Sequence, residues 1–192
     1  MEPSIELRPG RFYLVLAPRN LGRPLMNSFA ARLALSGTVR VLDGGNSFDA
    51  LSVARQVRRR TADLEATLGR LYVARAFTCH QMVTLLSEQP ASKMPVLVMD
   101  LLATFCDESV PVIERSRLLD QALVELRRLS RAAPLAASAV HLPQEGIDSR
   151  LPLGHPARLA VPLPAMLERL EQAADQVLRF VNPEEAVQGK LW

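Results

Sequence analysis

Short, continuous apolar runs alternate with amphipathic segments along most of this chain, and this alternation restricts its fold more than any other feature. The runs are rich in Val, Leu and Ala, as is typical of strands that are covered on both faces of a sheet. The five runs are Phe12 to Ala17, Val39 to Asp43, Leu71 to Ala76, Val96 to Leu101 and Leu135 to Val140. The pattern predicts a three-layer α/β fold, with a mostly parallel central sheet and helices on both faces.

The amphipathic segments predict four helices between these strands and a fifth near the C-terminus. The segments are Leu25 to Leu35, Phe48 to Arg60, Cys79 to Ser87, Ile113 to Arg131 and Ala165 to Val181. Thr78 and Gln81 have the spacing of a capping box, in which each side chain bonds the backbone amide of the other residue. Asp43 and Asp49 flank a Gly-Gly-Asn turn, and we expect them to be turn and helix-start residues.

Length and composition predict one domain. The chain has 192 residues, 48% of them hydrophobic, which suits a single well-buried core. We expect one domain over residues 1–182 and a tail over residues 183–192. Within that domain, residues 141–157 are rich in Pro, Gly and polar side chains and predict a long loop. Residues 158–163 lie between two prolines and predict a final edge strand.

Several classes of protein are disfavoured by the composition. Cys79 and Cys106 have no metal-type spacing, so we expect neither a metal site nor a disulfide framework. The apolar runs are shorter than the roughly 20 residues of a membrane-spanning helix. The acidic start of the chain lacks the basic region of a signal peptide. We therefore expect a cytoplasmic protein without a membrane partner.

Arginine supplies 21 of the 23 cationic Lys and Arg side chains, although the net charge is only +3. Such a bias arises from a GC-rich genome, or it serves to bind phosphate or carboxylate groups. Arg55, Arg58, Arg59 and Arg60 cluster at the end of the second predicted helix. There they either stabilise the negative end of the helix dipole or contact a nucleic acid or an acidic partner.

The first predicted strand runs into Ala17-Pro-Arg-Asn-Leu-Gly-Arg-Pro24, which occupies the place of a phosphate-binding loop. A working loop of this kind reads G-x-x-x-x-G-K-[ST]. Here Ala17 replaces the first glycine, Arg23 replaces the lysine, and Pro24 replaces the residue whose hydroxyl binds magnesium. Pro24 also has no backbone N–H to offer to a phosphate oxygen.

Five segments, taken in order, resemble the ATPase core of RecA/RadA-type recombinases. They are Val39 to Ala50 (second core strand and turn), Leu71 to Met82 (the V-A-R-A and H-Q segment), Pro95 to Leu101 (Walker B strand), Glu114 to Leu123 (the E-R helix) and Pro134 to Val140 (sensor strand). The resemblance covers roughly residues 5 to 141. It implies a RecA-like fold of the P-loop ATPase type.

This resemblance assigns roles to individual positions. Asp100 matches the Walker B aspartate, His141 follows the sensor strand, and Gly45 stands where a glutamate orients the attacking water in active members. Because Arg23, Pro24 and Gly45 lack the required groups, ATP hydrolysis is not expected and no catalytic residue is assigned. The resulting candidate is a degenerate nucleotide or anion site formed by Asn20, Gly22, Arg23, Asp100 and His141. Weak binding of ATP, ADP or phosphate at the helix N-terminus stays open.

Two functional hypotheses follow. The first is a non-catalytic RecA-like accessory protein in DNA recombination or repair, which binds a protein partner such as a RecA-family recombinase or a second copy of itself. The alternative is a nucleotide-binding or weak ATPase regulatory domain of RecA or KaiC type. Direct DNA binding has less support, because the loop from Ala103 to Val110 is short and acidic and repels phosphate.

Overall fold

One parallel sheet of six strands organises the computed structural model, which describes residues 7–140 and 164–181. The strands are β1 (Phe12–Ala17), β2 (Val39–Asp43), β3 (Leu71–Arg75), β4 (Val96–Met99), β5 (Leu135–Val140) and β6 (Gln176–Arg179). Their order across the sheet is β3-β2-β4-β5-β1-β6, and all neighbours are parallel. The predicted bounds of β1, β2 and β5 are confirmed.

Helices cover both faces of this sheet. They are α1 (Arg19–Ser36), α2 (Ala50–Arg58), α3 (Leu64–Leu68), α4 (Cys79–Glu88), α5 (Val112–Ala132), α6 (Pro164–Ala173) and a 3-10 helix at Leu101–Phe105. One face carries α1, α2 and α3, and the other carries α4, α5 and α6. The predicted three-layer α/β fold is confirmed, and it is consistent with a RecA-like core. None of the described helices is both long and apolar enough to cross a membrane.

The apolar core is divided by the sheet into two clusters. In β1, Phe12 and Leu14 face the α4–α6 side, while Tyr13 and Val15 face the α1–α3 side. All six residues of β1 are buried, because helices cover both faces of the sheet around this strand. The edge strand β3 departs from the expectation of two covered faces. It has only β2 as a neighbour, and its Tyr72 is 57% exposed.

The C-terminal prediction of one helix over residues 165–181 is wrong. Helix α6 ends at Ala173, and β6 follows as a sixth strand. Asp175 makes the connection, because its backbone N–H donates to Phe12 O at 2.9 Å and its carboxylate accepts from Phe12 N at 2.7 Å. The apolar residues Val177 and Leu178 suit a helix and a strand alike, and the open edge of β1 decides between them. The predicted loop, edge strand and tail at residues 141–157, 158–163 and 183–192 lie outside the described residues.

Candidate functional site

A small cavity lies at the edge of the sheet where β1, β2, β4 and β5 end. This carboxyl edge is where parallel α/β folds bind their ligands. The lining residues are Ala17, Arg19, Gly22, Arg23, Met26, Ser47, Asp100, Ser138, Ala139 and Val140. The cavity has a volume of about 10 Å³, which is room for about one water molecule. The structure therefore brings Gly22, Arg23 and Asp100 together around this small cavity.

The junction between β1 and α1 contains almost no loop. Helix α1 begins at Arg19, six residues before the predicted start at Leu25, and Pro18 is its N-cap. The N–H groups of Leu21 and Gly22 donate to Pro18 O at 2.9 and 2.8 Å. Gly22 also packs closely on the strand end, since a Cβ there would lie 3.4 Å from Ala17 Cβ. Two amides that a phosphate loop would direct at its ligand are thus bonded to the protein.

The remaining residues of the loop motif lie inside α1. Asn20 is exposed in the first turn, and Pro24 is within the helix. Proline at this position removes one helical N–H and replaces the hydroxyl that would bind a metal. Within residues 7–140 and 164–181, no group of three or more His, Cys, Asp or Glu side chains is placed to hold a metal ion.

The Arg23 guanidinium spans the gap between α1 and the loop that follows β2. Its Nη2 donates to Gly45 O at 3.2 Å and to Asn46 O at 3.4 Å, and its Nε donates to Ser47 Oγ at 3.2 Å. Carbonyl oxygens of the chain thus take the place that an anionic ligand would occupy around this cation. The hydrogen bonds of Arg23 therefore link α1 to the loop after β2 across the site.

Buried Asn27, one turn after Arg23, completes this connection. Its Nδ2 donates to Arg23 O at 2.8 Å and to Ser47 O at 3.0 Å, while its Oδ1 accepts from Asp49 N at 2.9 Å. Asn27 was not among the site residues predicted from the sequence. An amide side chain on the apolar face of a predicted helix is the signal that could have identified it.

Asp43 folds the loop after β2 into a compact turn. Its carboxylate accepts from the backbone N–H groups of Ser47 at 2.8 Å and Phe48 at 3.1 Å, and it pairs with Arg75 Nε at 3.2 Å. Asp49 then caps α2 by accepting from two amides of its first turn. The prediction that Asp43 and Asp49 are turn and helix-start residues is confirmed.

Asp100 follows β4 with a left-handed backbone (φ 53°, ψ 50°), so the strand ends two residues before the predicted Leu101. Its N–H donates to Ser138 Oγ at 2.9 Å, and its Oδ2 accepts from Ser47 Oγ at 3.4 Å and lies 3.9 Å from Arg19 Nη2. Burial raises the pKa of the Asp100 carboxyl, although Arg19 and Arg23 oppose the shift. Desolvation is thus only partly compensated.

Two glycines fit the turn after β2 against Asp100. A Cβ on Gly45 would lie 2.2 Å from Asp100 Oδ2 and 2.5 Å from Asp100 Cβ. A Cβ on Gly44 would lie 2.8 Å from Met82 Cε and 3.1 Å from Asp100 O. Gly45 is the position at which the recombinase resemblance expects glutamate. In this packing, that position has no room for any side chain.

The other polar residues of the recombinase-like segments have structural contacts. Thr78 Oγ1 accepts from Gln81 N at 3.2 Å, which is half of the predicted capping box. The other half is displaced by one residue, because Gln81 Oε1 accepts from Phe77 N at 2.8 Å. His80 Nε2 lies 2.9 Å from Glu114 Oε1 on α5. His141 lies outside the described residues.

The basic cluster is remote from the cavity along α2. Arg55, Arg58, Arg59 and Arg60 are all exposed at the C-terminal end of α2, whereas the cavity lies at the edge where α2 begins. The structure therefore separates the two groups of candidate residues.

A comparison of the chain with protein-family models and with curated proteins finds no match.

Proposed function

We propose that this chain is a non-catalytic RecA-like protein, a pseudo-ATPase, that acts by binding another protein. The observation that supports this proposal is the closed state of the carboxyl-edge site. There Arg23 bonds the loop after β2 at two carbonyl oxygens and one hydroxyl. DNA recombination or repair is the setting implied by the recombinase resemblance, with a RecA-family recombinase as one candidate partner. That setting rests on the resemblance alone.

Phosphoryl transfer from ATP needs amides that hold the phosphates, a metal ligand and a group that orients water. In this chain each requirement meets a specific obstacle. The Leu21 and Gly22 amides bond Pro18 O, Pro24 has no hydroxyl, and Gly45 faces Asp100 without space for a side chain. The cavity volume of about 10 Å³, room for about one water molecule, supports the proposal that no triphosphate is bound there.

A nucleotide-binding or weak ATPase domain of RecA or KaiC type is the second candidate. Its specific support is Arg19, whose side chain is 46% exposed at the mouth of the cavity in the first turn of α1. A cation at a helix N-terminus attracts phosphate groups. We place this function second, because Arg23 and Asp100 already have partners within the chain.

The two functions are separated by melting the full chain with ATP or ADP, with and without Mg²⁺, and by measuring phosphate release in parallel. A nucleotide at about 100 times its dissociation constant stabilises a protein by about 2.7 kcal/mol. For a chain of this length that is a rise in Tm of about 5–10 °C. We expect no such rise and no turnover. Mg²⁺-dependent turnover that Asp100→Ala abolishes would establish the second candidate instead.

A further inference from the structure

Three large apolar side chains are exposed at the N-terminal ends of α4 and α5. Phe77 precedes α4 and is 72% exposed, while Val112 and Ile113 open α5 and are 53% and 86% exposed. We name these three residues the α4–α5 patch. Single exposed apolar residues are ordinary on protein surfaces, but a group of them marks an interaction site more often.

One polar contact brings the two helix ends together. His80 Nε2 lies 2.9 Å from Glu114 Oε1, which joins the first turn of α4 to the first turn of α5. Phe77 lies three residues before His80, and Ile113 lies directly before Glu114. Phe77 and Ile113 are therefore both close along the chain to the partners of one contact between the helix ends. The Phe77 backbone is fixed as well, because its N–H donates to Gln81 Oε1 at 2.8 Å.

The core does not need the side chains of the patch. The buried side of α5 is formed by residues such as Leu118, Leu119, Ala122 and Leu126, which pack against the sheet. Val112 and Ile113 lie outside that buried set. Val110, just before α5, is partly buried against the core and anchors the preceding loop. The loop is thus held in place while the patch stays in contact with water.

Carboxylates are concentrated on the loop side of the patch. Residues 107–114 contain three of them, Asp107, Glu108 and Glu114, and no Lys or Arg, whereas exposed Arg117 lies one turn after Ile113 on the helix side. Ser109 N donates to Asp107 Oδ1 at 2.9 Å, and hydrogen bonds from Ser109 lower the pKa of the Asp107 carboxyl. Arg115 is buried and donates to Phe105 O at 3.0 Å, so its side chain is not on the exposed surface of the patch.

We propose that the α4–α5 patch docks a cationic amphipathic segment of a partner protein, with apolar side chains on Phe77 and Ile113 and Lys or Arg side chains on the carboxylates of the loop side. Nucleic acids and anionic membranes carry phosphates, which the three carboxylates repel. A protein segment can instead combine apolar and cationic side chains on one helix face. The inference rests on the proposed interaction role and names the chemistry of the partner.

The probe is a fluorescein-labelled amphipathic helix of leucine and lysine, titrated with the full chain and followed by anisotropy. A counterpart with glutamate at every lysine position tests the charge, and a DNA duplex tests the nucleic-acid alternative. Phe77→Ser combined with Ile113→Ser should weaken binding of the lysine peptide by at least ~10-fold. The matched control is Val124→Ser, because Val124 is 65% exposed on the same helix about 16 Å from Ile113. It should change the affinity by less than ~2-fold.

Charge is tested separately by Asp107→Asn combined with Glu108→Gln. The affinity of the native chain for the lysine peptide should decrease as the salt concentration is raised from ~50 to ~200 mM. The affinity of this variant should decrease less over the same range. Because all substituted side chains are exposed, melting curves should show that each variant is folded.

The proposal is overturned if the lysine peptide does not bind, if the glutamate peptide or the duplex binds better, or if Val124→Ser weakens binding as much as the patch variant does. A concentration-dependent doubling of mass that the patch variant abolishes would assign the patch to a second copy of this chain. ATP turnover measured on the same samples tests the pseudo-ATPase proposal independently. Absence of peptide binding would overturn the docking proposal alone, whereas ATP turnover would overturn the pseudo-ATPase proposal alone.

Discussion

Replacing Gly45 with alanine is expected to destabilise the protein, because a Cβ at this position collides with Asp100. The added atom would lie 2.2 Å from Asp100 Oδ2, 2.5 Å from its Cβ and 2.6 Å from its Cγ, well below the 3.5–4.0 Å of a favourable contact. Rotating the carboxylate does not relieve the clash with Cβ, which is attached to the backbone. That backbone is held by the hydrogen bond from Asp100 N to Ser138 Oγ at 2.9 Å.

The size of the effect follows from two opposing terms. Overpacking a filled site costs about 1–3 kcal/mol, and this site belongs at the upper end because the obstructing atom cannot turn away. Replacing glycine with alanine also stabilises by about 0.4–1 kcal/mol, since the unfolded chain loses conformational freedom. We expect a net loss of about 2 kcal/mol in the free energy of unfolding. For a chain of this length the corresponding fall in Tm is about 4–8 °C.

Urea unfolding followed by circular dichroism measures this loss against a matched control. Gly37→Ala places a Cβ where no heavy atom lies within 4 Å, so it should be neutral or slightly stabilising. In an Asp100→Gly background the obstructing side chain is gone and the left-handed backbone is preserved. There Gly45→Ala should cost less than about 0.5 kcal/mol. Equal stability of Gly45→Ala and Gly37→Ala, or an equal penalty in both backgrounds, would refute the reasoning.

Three further predictions concern buried polar groups. Asp100→Asn should raise the free energy of unfolding at pH 7 in urea unfolding, because burial raises the folded-state pKa of this carboxyl and its charged form therefore disfavours folding. This gain should vanish as the pH falls below the ordinary pKa of aspartate. Asn27→Ala should cost about 2–3 kcal/mol in urea unfolding, since Asp49 N and Ser47 O lose their partner, whereas exposed Asn20→Ala should change stability by less than about 0.5 kcal/mol. Cys106, whose pKa burial raises to about 11, should react with iodoacetamide much more slowly in the folded chain than after denaturation at pH 8, which mass spectrometry of the labelled peptide measures.

Sequence patterns predicted the fold where burial alone decides the conformation. Continuous apolar runs gave β1, β2 and β5 with their observed bounds, because central strands of a parallel sheet are covered on both faces. The same reasoning failed at β6, whose conformation depends on Asp175 bonding Phe12 more than 160 residues away in the chain. A contact of that kind has no periodicity along the sequence. The short helix α3 was also missed, since five residues are too few for an amphipathic pattern.

The departures from the phosphate-loop motif were predictable from the sequence, but the contacts made by the residues at those positions were not. The substitutions at Ala17, Arg23 and Pro24 are visible because the phosphate-loop motif has fixed positions. The replacement contacts depend on side chains from separate elements, such as Asn27 on α1 and Ser138 on β5, which meet only in the folded chain. No sequence motif predicts contacts between residues on such separate elements.

The contacts around Arg23 and Gly45 oppose the conversion of this site into a phosphate-binding site in single steps. Replacing Arg23 with lysine would give up hydrogen bonds to the loop after β2 before any phosphate could be bound. A glutamate introduced at Gly45 would collide with Asp100, which is itself held in place by Ser138. Each change towards an active site therefore destabilises the present packing without supplying the other required groups. The same contacts connect α1, β4 and the loop after β2, so each would have to be replaced before the site could hold a phosphate chain.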